Sequence, residues 1–247
     1  MYPILFRIGA FEITSFGAML ALGALAGAWA FRKELDARGI SHASDAAFHG
    51  LIGGLVGAKL LYVAEHLGTE PFFALLMSRG GMSWFGGLVG GVGVGLLTIR
   101  RHRWPTVPIL AAATAGLALG QMFGRIGCFL VGDDYGLPTG LPWGVSFPEG
   151  VPPTTVPVHP TQLYEAAFLA LLAAAMVAWR KHGTADRDLL ARYCLIAGAF
   201  RFVLEFLRVN VRVAGGLSVA QWASLGLFGL GSWLALAPGA APTREPG

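Results

Sequence analysis

Arg125, Asp133 and Asp134 stand at the end of an apolar run, within the stretch GRIGCFLVGDDYGLPTGLPWGVSF at 124–147. An arginine at bilayer depth costs at least ~2.5–3.5 kcal/mol unless it is paired or hydrated. Something must hold it there, and the planar, multi-donor guanidinium suits a phosphate. A second group, Arg201, Glu205 and Arg208, falls at i, i+4 and i+7, which predicts one helix face. Two arginines against one glutamate leave a positive charge over, and in lipid that surplus requires an anion. A third group, His159, Gln162, Tyr164 and Glu165, lies in HPTQLYE. Pro160 and Thr161 account there for a helix start. The His, Gln and Glu beside them read as a polar wall of the same site, with Gln162 and Glu165 sharing a face. Asp133 and Asp134 taken alone read most simply as solvated loop acids.

Two further features sit inside apolar windows. Lys59 lies a turn before Tyr62 and either snorkels to the interface or faces an interior polar site. Gly50, Gly53, Gly54 and Gly57, and then Gly86, Gly87, Gly90, Gly91, Gly93 and Gly95, have the spacing that lets helices approach closely. Gly86 and Gly87 also leave room for a lipid head group.

The elements that must position these residues follow from hydropathy. Of 247 residues, 55% are hydrophobic and only 13% charged, about half the usual charged share of a soluble domain. Mean hydropathy is +0.61. Seven apolar windows, at 13–31, 46–64, 82–99, 107–131, 163–179, 189–207 and 217–237, each approach the length a helix needs to span the hydrocarbon core. They do not alternate, so helices rather than a barrel are expected. The expectation is an all-α polytopic membrane protein with seven transmembrane helices, read as one domain over 1–247. The loop at 132–160 forms a small head with short strands. The segments at 1–13 and 68–81 are too short to cross and read as interfacial arms.

Basic residues set the orientation. Arg32, Lys33 and Arg38, then Arg100, Arg101 and Arg103, then Arg180, Lys181 and Arg187, with Arg244 in the tail, mark one side. The other side has Arg7, Arg79, Arg208 and Arg212. The amino terminus is therefore expected outside and the carboxyl terminus in the cytoplasm. MYPILFRIG has neither a basic leader region nor a cleavage site, so no removable signal peptide is expected. Cys128 and Cys194 and the scattered histidines form no ligand spacing, so neither a metal nor another cofactor is expected. No nucleic acid partner is expected either.

Several motifs in order resemble the prolipoprotein diacylglyceryl transferase family over most of the chain. They are G-A-K at Gly57–Ala58–Lys59, Gly86–Gly87 after M-S, and G-R-I-G-x-F from Gly124. Y-G-x-P-T-x-L-P-W-G-V-x-F-P from Tyr135, H-P-T-Q-L-Y-E from His159 and A-F-R-F-V-L-E-F-L-R from Ala199 follow. The resemblance implies a multi-pass protein of the bacterial inner membrane, with the head at 132–160 in the periplasm. It implies transfer of diacylglycerol from phosphatidylglycerol to the lipobox cysteine of a prolipoprotein signal peptide, with release of glycerol phosphate. Arg125 matches the family's phosphatidylglycerol-binding arginine and Arg201 its second essential arginine. Glu205 and Arg208 follow at the family spacing, and Gly136 matches the glycine closing the fourth-span motif. His159, Gln162 and Glu165 fall on the fifth-span motif.

Four positions depart from the family. Phe85 stands where many members have histidine and Phe16 where they often have tyrosine. Cys128 replaces an asparagine and Asp133 a glutamate. With that histidine absent, proton removal from the thiol falls to Asp133, His159 or Tyr164. Arg125 and Arg201 are expected to clamp the phosphate, with Glu205 orienting Arg201. Lys59, Gly86, Gly87, Gly136, Gln162, Tyr164, Glu165 and Arg208 are the expected contacts to substrate. The alternatives are a non-catalytic phosphatidylglycerol-binding homologue, a lipid transferase with another acceptor, and a transporter, although repeat symmetry is not visible.

Overall fold

The computed structural model describes residues 4–8, 11–78 and 81–237. Arg79 and Arg244, counted above for orientation, lie outside them. The helices are α1 (Ser15–Asp36), α2 (Asp45–Glu65), α3 (Phe72–Met77), α4 (Trp84–Arg101), α5 (Thr106–Val131), α6 (Thr161–Lys181), α7 (Asp186–Leu204) and α8 (Val219–Leu236). All but α3 are long, and each coincides with one apolar window. Five stretches, 15–36, 41–65, 106–131, 161–181 and 219–236, are long and apolar enough to cross a membrane. The other two long helices are more polar for visible reasons. Glycine dilutes α4, which ends on Arg100 and Arg101, and α7 carries Asp186, Arg187, Asp188, Arg192 and Arg201.

The chain also contains strands. At the start, where the sequence was expected to provide only an interfacial arm, β1 (Ile4–Ile8) and β2 (Phe11–Thr14) pair antiparallel, with Arg7 opposite Glu12. The Arg7 and Glu12 side chains meet at 2.8 Å. The alternation of apolar and polar residues in FEIT fits a strand better than a helix face. In the head, β3 (Val145–Phe147) and β4 (Thr154–Val158) pair antiparallel, Val145 opposite Val158, as the alternation of that loop predicts. In the 68–81 segment, Pro71 precedes the single short helix α3.

The chain divides into two compact units, 31–112 and 1–30 with 113–247. In the first, α2 and α4 pack through glycine. A Cβ on Gly57 would overlap the carbonyl oxygen of Gly86, and one on Gly90 that of Gly53. Gly54 and Gly50 face Gly87 and Gly91 in the same way at 3.3 Å. The Lys59 ammonium donates to Ser78 O (2.6 Å), Ser78 Oγ (3.0 Å) and Gly81 O (3.1 Å). It anchors the connection that follows α3.

In the second unit, α1 nests on α5 by the same device. A Cβ on Gly23 would lie 2.7 Å from Gly120 O, and one on Gly27 2.9 Å from Gly116 O. Ala115 and Ala118 of α5, Leu169, Leu172 and Met176 of α6, and Tyr193 and Cys194 of α7 form a buried core. Phe168 and Phe200 stack at 3.7 Å across α6 and α7. Gly198 lets α7 approach the backbone of α8 at Ser224 and Phe228. Ser218 and Gln221 close a capping box at the start of α8. Large apolar side chains such as Leu25, Leu171, Val203 and Leu236 remain outside, 65% exposed or more. That exterior suits lipid rather than water.

Candidate functional site

Three helix ends and one loop of the 113–247 unit converge on a network of charges. Arg125 comes from the last two turns of α5, Asp134 from the loop after it, and Glu165 from the start of α6. Glu205 and Arg208 follow α7. Arg125 Nη1 donates to Asp134 Oδ2 at 2.8 Å, and its Nε lies 2.9 Å from Glu165 Oε2. Arg208 Nη2 reaches the other oxygen of Asp134 at 2.6 Å. One carboxylate thus bridges two arginines. Arg208 Nη1 is 3.8 Å from Glu165 Oε2 and its Nε 3.9 Å from Glu205 Oε2. Arg201 Nη1 donates to Glu205 Oε2 at 2.6 Å. Asn210 Nδ2 and Ser218 Oγ donate to Glu205 Oε1 at 2.7 and 2.6 Å. Glu205 is thereby saturated, as a buried carboxylate must be.

This geometry corrects two sequence-based expectations. The α-helix does not run on through Arg208. It ends at Leu204, a 3-10 turn covers Glu205–Leu207, and Arg208 is extended. The tighter turn is a common way to finish a helix, and it frees Leu207 O to accept from Leu137 N at 2.8 Å. The positive surplus of that stretch is also balanced: with Asp134 and Glu165, three carboxylates meet Arg125, Arg201 and Arg208. Arg125 and Arg208 share the bridging carboxylate, while Arg201 joins them through Glu205.

The head loop is stitched onto the site by its backbone. Gly136 N donates to His159 O (2.9 Å) and His159 N to Leu137 O (3.0 Å). A Cβ on Gly136 would lie 2.5 Å from Leu207 O and 2.8 Å from Thr161 Cγ2, so the position requires glycine for close approach. Gln162 Nε2 donates to Asp133 O at 2.5 Å and Thr161 Oγ1 to Asp134 O at 3.0 Å. Tyr135 stacks on Phe147 and donates to Pro152 O. The Tyr164 hydroxyl accepts from Trp143 Nε1 at 2.7 Å and lies 3.3 Å from His159 Nδ1.

The two loop acids differ. Burial opposes the charged form of Asp134, but Arg208 and Arg125 outweigh it and hold the carboxyl below the usual range. For Asp133, burial and the neighbouring Asp134 push the carboxyl up against the pull of Cys128, Arg125 and Arg208. Its Oδ1 is buried without a hydrogen-bond partner.

An open apolar cleft of about 380 Å³ is lined by Tyr164, Phe200, Val203, Leu204, Phe206 and Leu207. A larger one of about 610 Å³ runs from Trp29 and Ala115 to Lys181 and His182 and holds none of the network residues.

Of the residues expected in the site, Arg125, Asp133, Gly136, His159, Gln162, Tyr164, Glu165, Arg201, Glu205 and Arg208 meet in this unit. Lys59, Gly86 and Gly87 belong to the other one, where their contacts are those given above. Sequence reasoning missed Asp134 as a bridge, and also Asn210, Ser218 and Trp143. Charge counting held the signal for Asp134: Arg125, Arg201 and Arg208 need more carboxylates than Glu205 alone.

The family model for prolipoprotein diacylglyceryl transferase matches residues 3–237. The phosphatidylglycerol–prolipoprotein diacylglyceryl transferase of Clostridium tetani is 35% identical over 233 residues, 91% of this chain and 93% of the relative. That of Nitratidesulfovibrio vulgaris is 32% identical over 250 residues, covering 95% and 92%. That of Geobacter sulfurreducens is 33% identical over 254 residues, covering 95% and 94%. A match this continuous, with relatives covered almost end to end, makes the chain a member of the prolipoprotein diacylglyceryl transferase family.

Proposed function

We propose that this protein transfers the diacylglyceryl group of phosphatidylglycerol to the lipobox cysteine thiol of prolipoproteins, leaving glycerol phosphate. The observation that carries the reading is the pairing of Arg125 and Arg208 around one carboxylate, that of Asp134, within a transferase family. The reaction joins the cysteine sulfur to the glycerol carbon that bears the phosphate. The carbon–oxygen bond breaks, and its electron pair stays on the phosphate oxygen. A singly charged phosphodiester becomes a monoester with nearly one more negative charge. Catalysis therefore consists mainly of stabilising charge that grows on phosphate oxygens, the task that fixed guanidiniums perform.

Arg125 and Arg208 supply that positive charge directly, and Arg201 adds to it from behind Glu205. The thiol is mostly protonated at neutral pH, so a base must take its proton. Asp133, with its raised carboxyl, and the His159–Tyr164 pair are the groups suited to it. The cleft beside Tyr164 has the apolar lining an acyl chain needs. All seven long helices cross the bacterial inner membrane as one transferase domain over 1–247. The amino terminus and the head at 132–160 face the periplasm, and the carboxyl terminus faces the cytoplasm, following the basic residues.

Complementation of a cell depleted of its own transferase tests the reading. The mass of a lipobox peptide should increase by one diacylglyceryl group. Phosphatidylglycerol bound by the purified protein but never consumed would instead favour the non-catalytic homologue. Transfer to a different acceptor would favour the related-transferase reading.

A further inference from the structure

Asp134 differs from the other two carboxylates of the network. The Glu165 side chain is 7% exposed and that of Glu205 fully buried, whereas Asp134 is 46% exposed. Glu165 is fixed to a helix and Glu205 is held by Asn210 and Ser218. Asp134 sits on the loop at φ 59°, a left-handed conformation that aspartate tolerates. Both of its carboxylate oxygens are bound, one by Arg125 and one by Arg208, and among the described residues no other group donates to them. The Arg208 side chain is only 4% exposed, yet its Nη1 and Nε have no hydrogen-bond partner, the nearest carboxylates being 3.8 and 3.9 Å away respectively. Buried charged donors without acceptors are costly. Arg208 therefore keeps donors that the Asp134 carboxylate does not fill.

We propose that Asp134 is a place-holding anion, whose carboxylate occupies the seat between Arg125 and Arg208 that the phosphate of phosphatidylglycerol takes on binding. The inference rests on the donor lipid proposed above. The exchange replaces one single negative charge by another, so the pocket stays neutral. A phosphate brings more acceptor oxygens than a carboxylate to the donors of Arg125 and Arg208. Asp134 has room to withdraw because nearly half of its side chain is exposed. After transfer the phosphate carries more charge and is held harder, and the returning carboxylate competes it off. Asp134 thus sets both how readily the donor enters and how readily the product leaves.

The test is Asp134→Asn in the full-length protein in nanodiscs, with phosphatidylglycerol titrated against a phosphatidylcholine background. If the carboxylate fills the seat about nine-tenths of the time, removing its charge tightens apparent lipid binding about tenfold. KM should fall by a similar factor, and kcat should fall with it as product release slows. A folded Asp134→Asn protein that binds phosphatidylglycerol equally or more weakly overturns the proposal. Should the variant not fold, the unsubstituted protein gives the answer. Carbodiimide coupling of an amine to Asp134, read by peptide mass, should rise several-fold in phosphatidylglycerol vesicles over phosphatidylcholine vesicles. Unchanged or reduced labelling overturns it. Tighter lipid binding without lipobox modification would leave this inference standing and remove the transferase reading. Transfer with unaltered affinity would do the reverse.

Discussion

Each of the two compact units packs helices through glycine, but only the one that contains 113–247 adds a network of charges. In the 31–112 unit, α2 and α4 meet because side chains are missing: glycine faces glycine, and carbonyl oxygens fill the space a Cβ would take. In the 113–247 unit, the ends of α5, α6 and α7 meet because charged side chains are present and satisfy one another. The first arrangement has shape and almost no chemistry. The second sets three arginines against three carboxylates, of which Asp134 is nearly half exposed. In a medium that gives helices no hydrophobic reason to associate, a glycine seam serves for packing, whereas an arginine network is retained for what it binds.

The strongest test of this contrast is at Arg125. Arg125→Ala should lower the rate of transfer to a lipobox peptide in proteoliposomes by at least about a hundredfold, roughly 3 kcal/mol of barrier. Arg125→Lys should recover little, because an ammonium cannot reproduce the planar fork that meets Asp134 and Glu165 together. Full transfer by Arg125→Ala would reduce the network to a structural ladder. On the other side of the contrast, Gly90→Val forces a side chain against Gly53 O. It should cost about 1–3 kcal/mol, seen as a lower melting temperature in detergent. An unchanged melt would mean that the seam is looser than its geometry indicates.

The seven long helices were legible because an apolar run of about twenty residues is a signal that needs no partner. The terminal strand pair was less so, since its stability comes from pairing and its apolar residues also fit an interfacial arm. The end of α7 was not legible. Nothing in FVLEFLR marks the change to a tighter turn, which depends on Leu137 arriving to take up Leu207 O. Asp134 was seen but assigned to solvent, because its role exists only once Arg208, far along the chain, lies opposite Arg125. The pairing of Gln162 with the Asp133 backbone was anticipated only as a shared polar wall.

The smallest expected effect is on acid stability. The folded carboxyl of Asp134 titrates below its unfolded value. Its ion pairs therefore add stability that is fully present above the unfolded value, near ~3.9, and is lost as pH falls through the lower folded one. Its exposure screens the effect. Melting curves of the unsubstituted protein and Asp134→Asn, taken from about pH 6 to about pH 3, should therefore converge at the acid end. Curves that stay parallel would show that Asp134 gains nothing from its two arginines.

The notches at Gly23 and Gly27 also impose an order on biogenesis. Among these helices α1 is synthesised first, but the carbonyls it nests against belong to Gly116 and Gly120. Three later helices leave the ribosome before α5 is complete. During that interval the glycine stripe of α1 lacks the α5 backbone it nests against in the finished fold. A nascent chain stalled before Gly116 would display an unmatched surface of the kind that quality-control proteases remove.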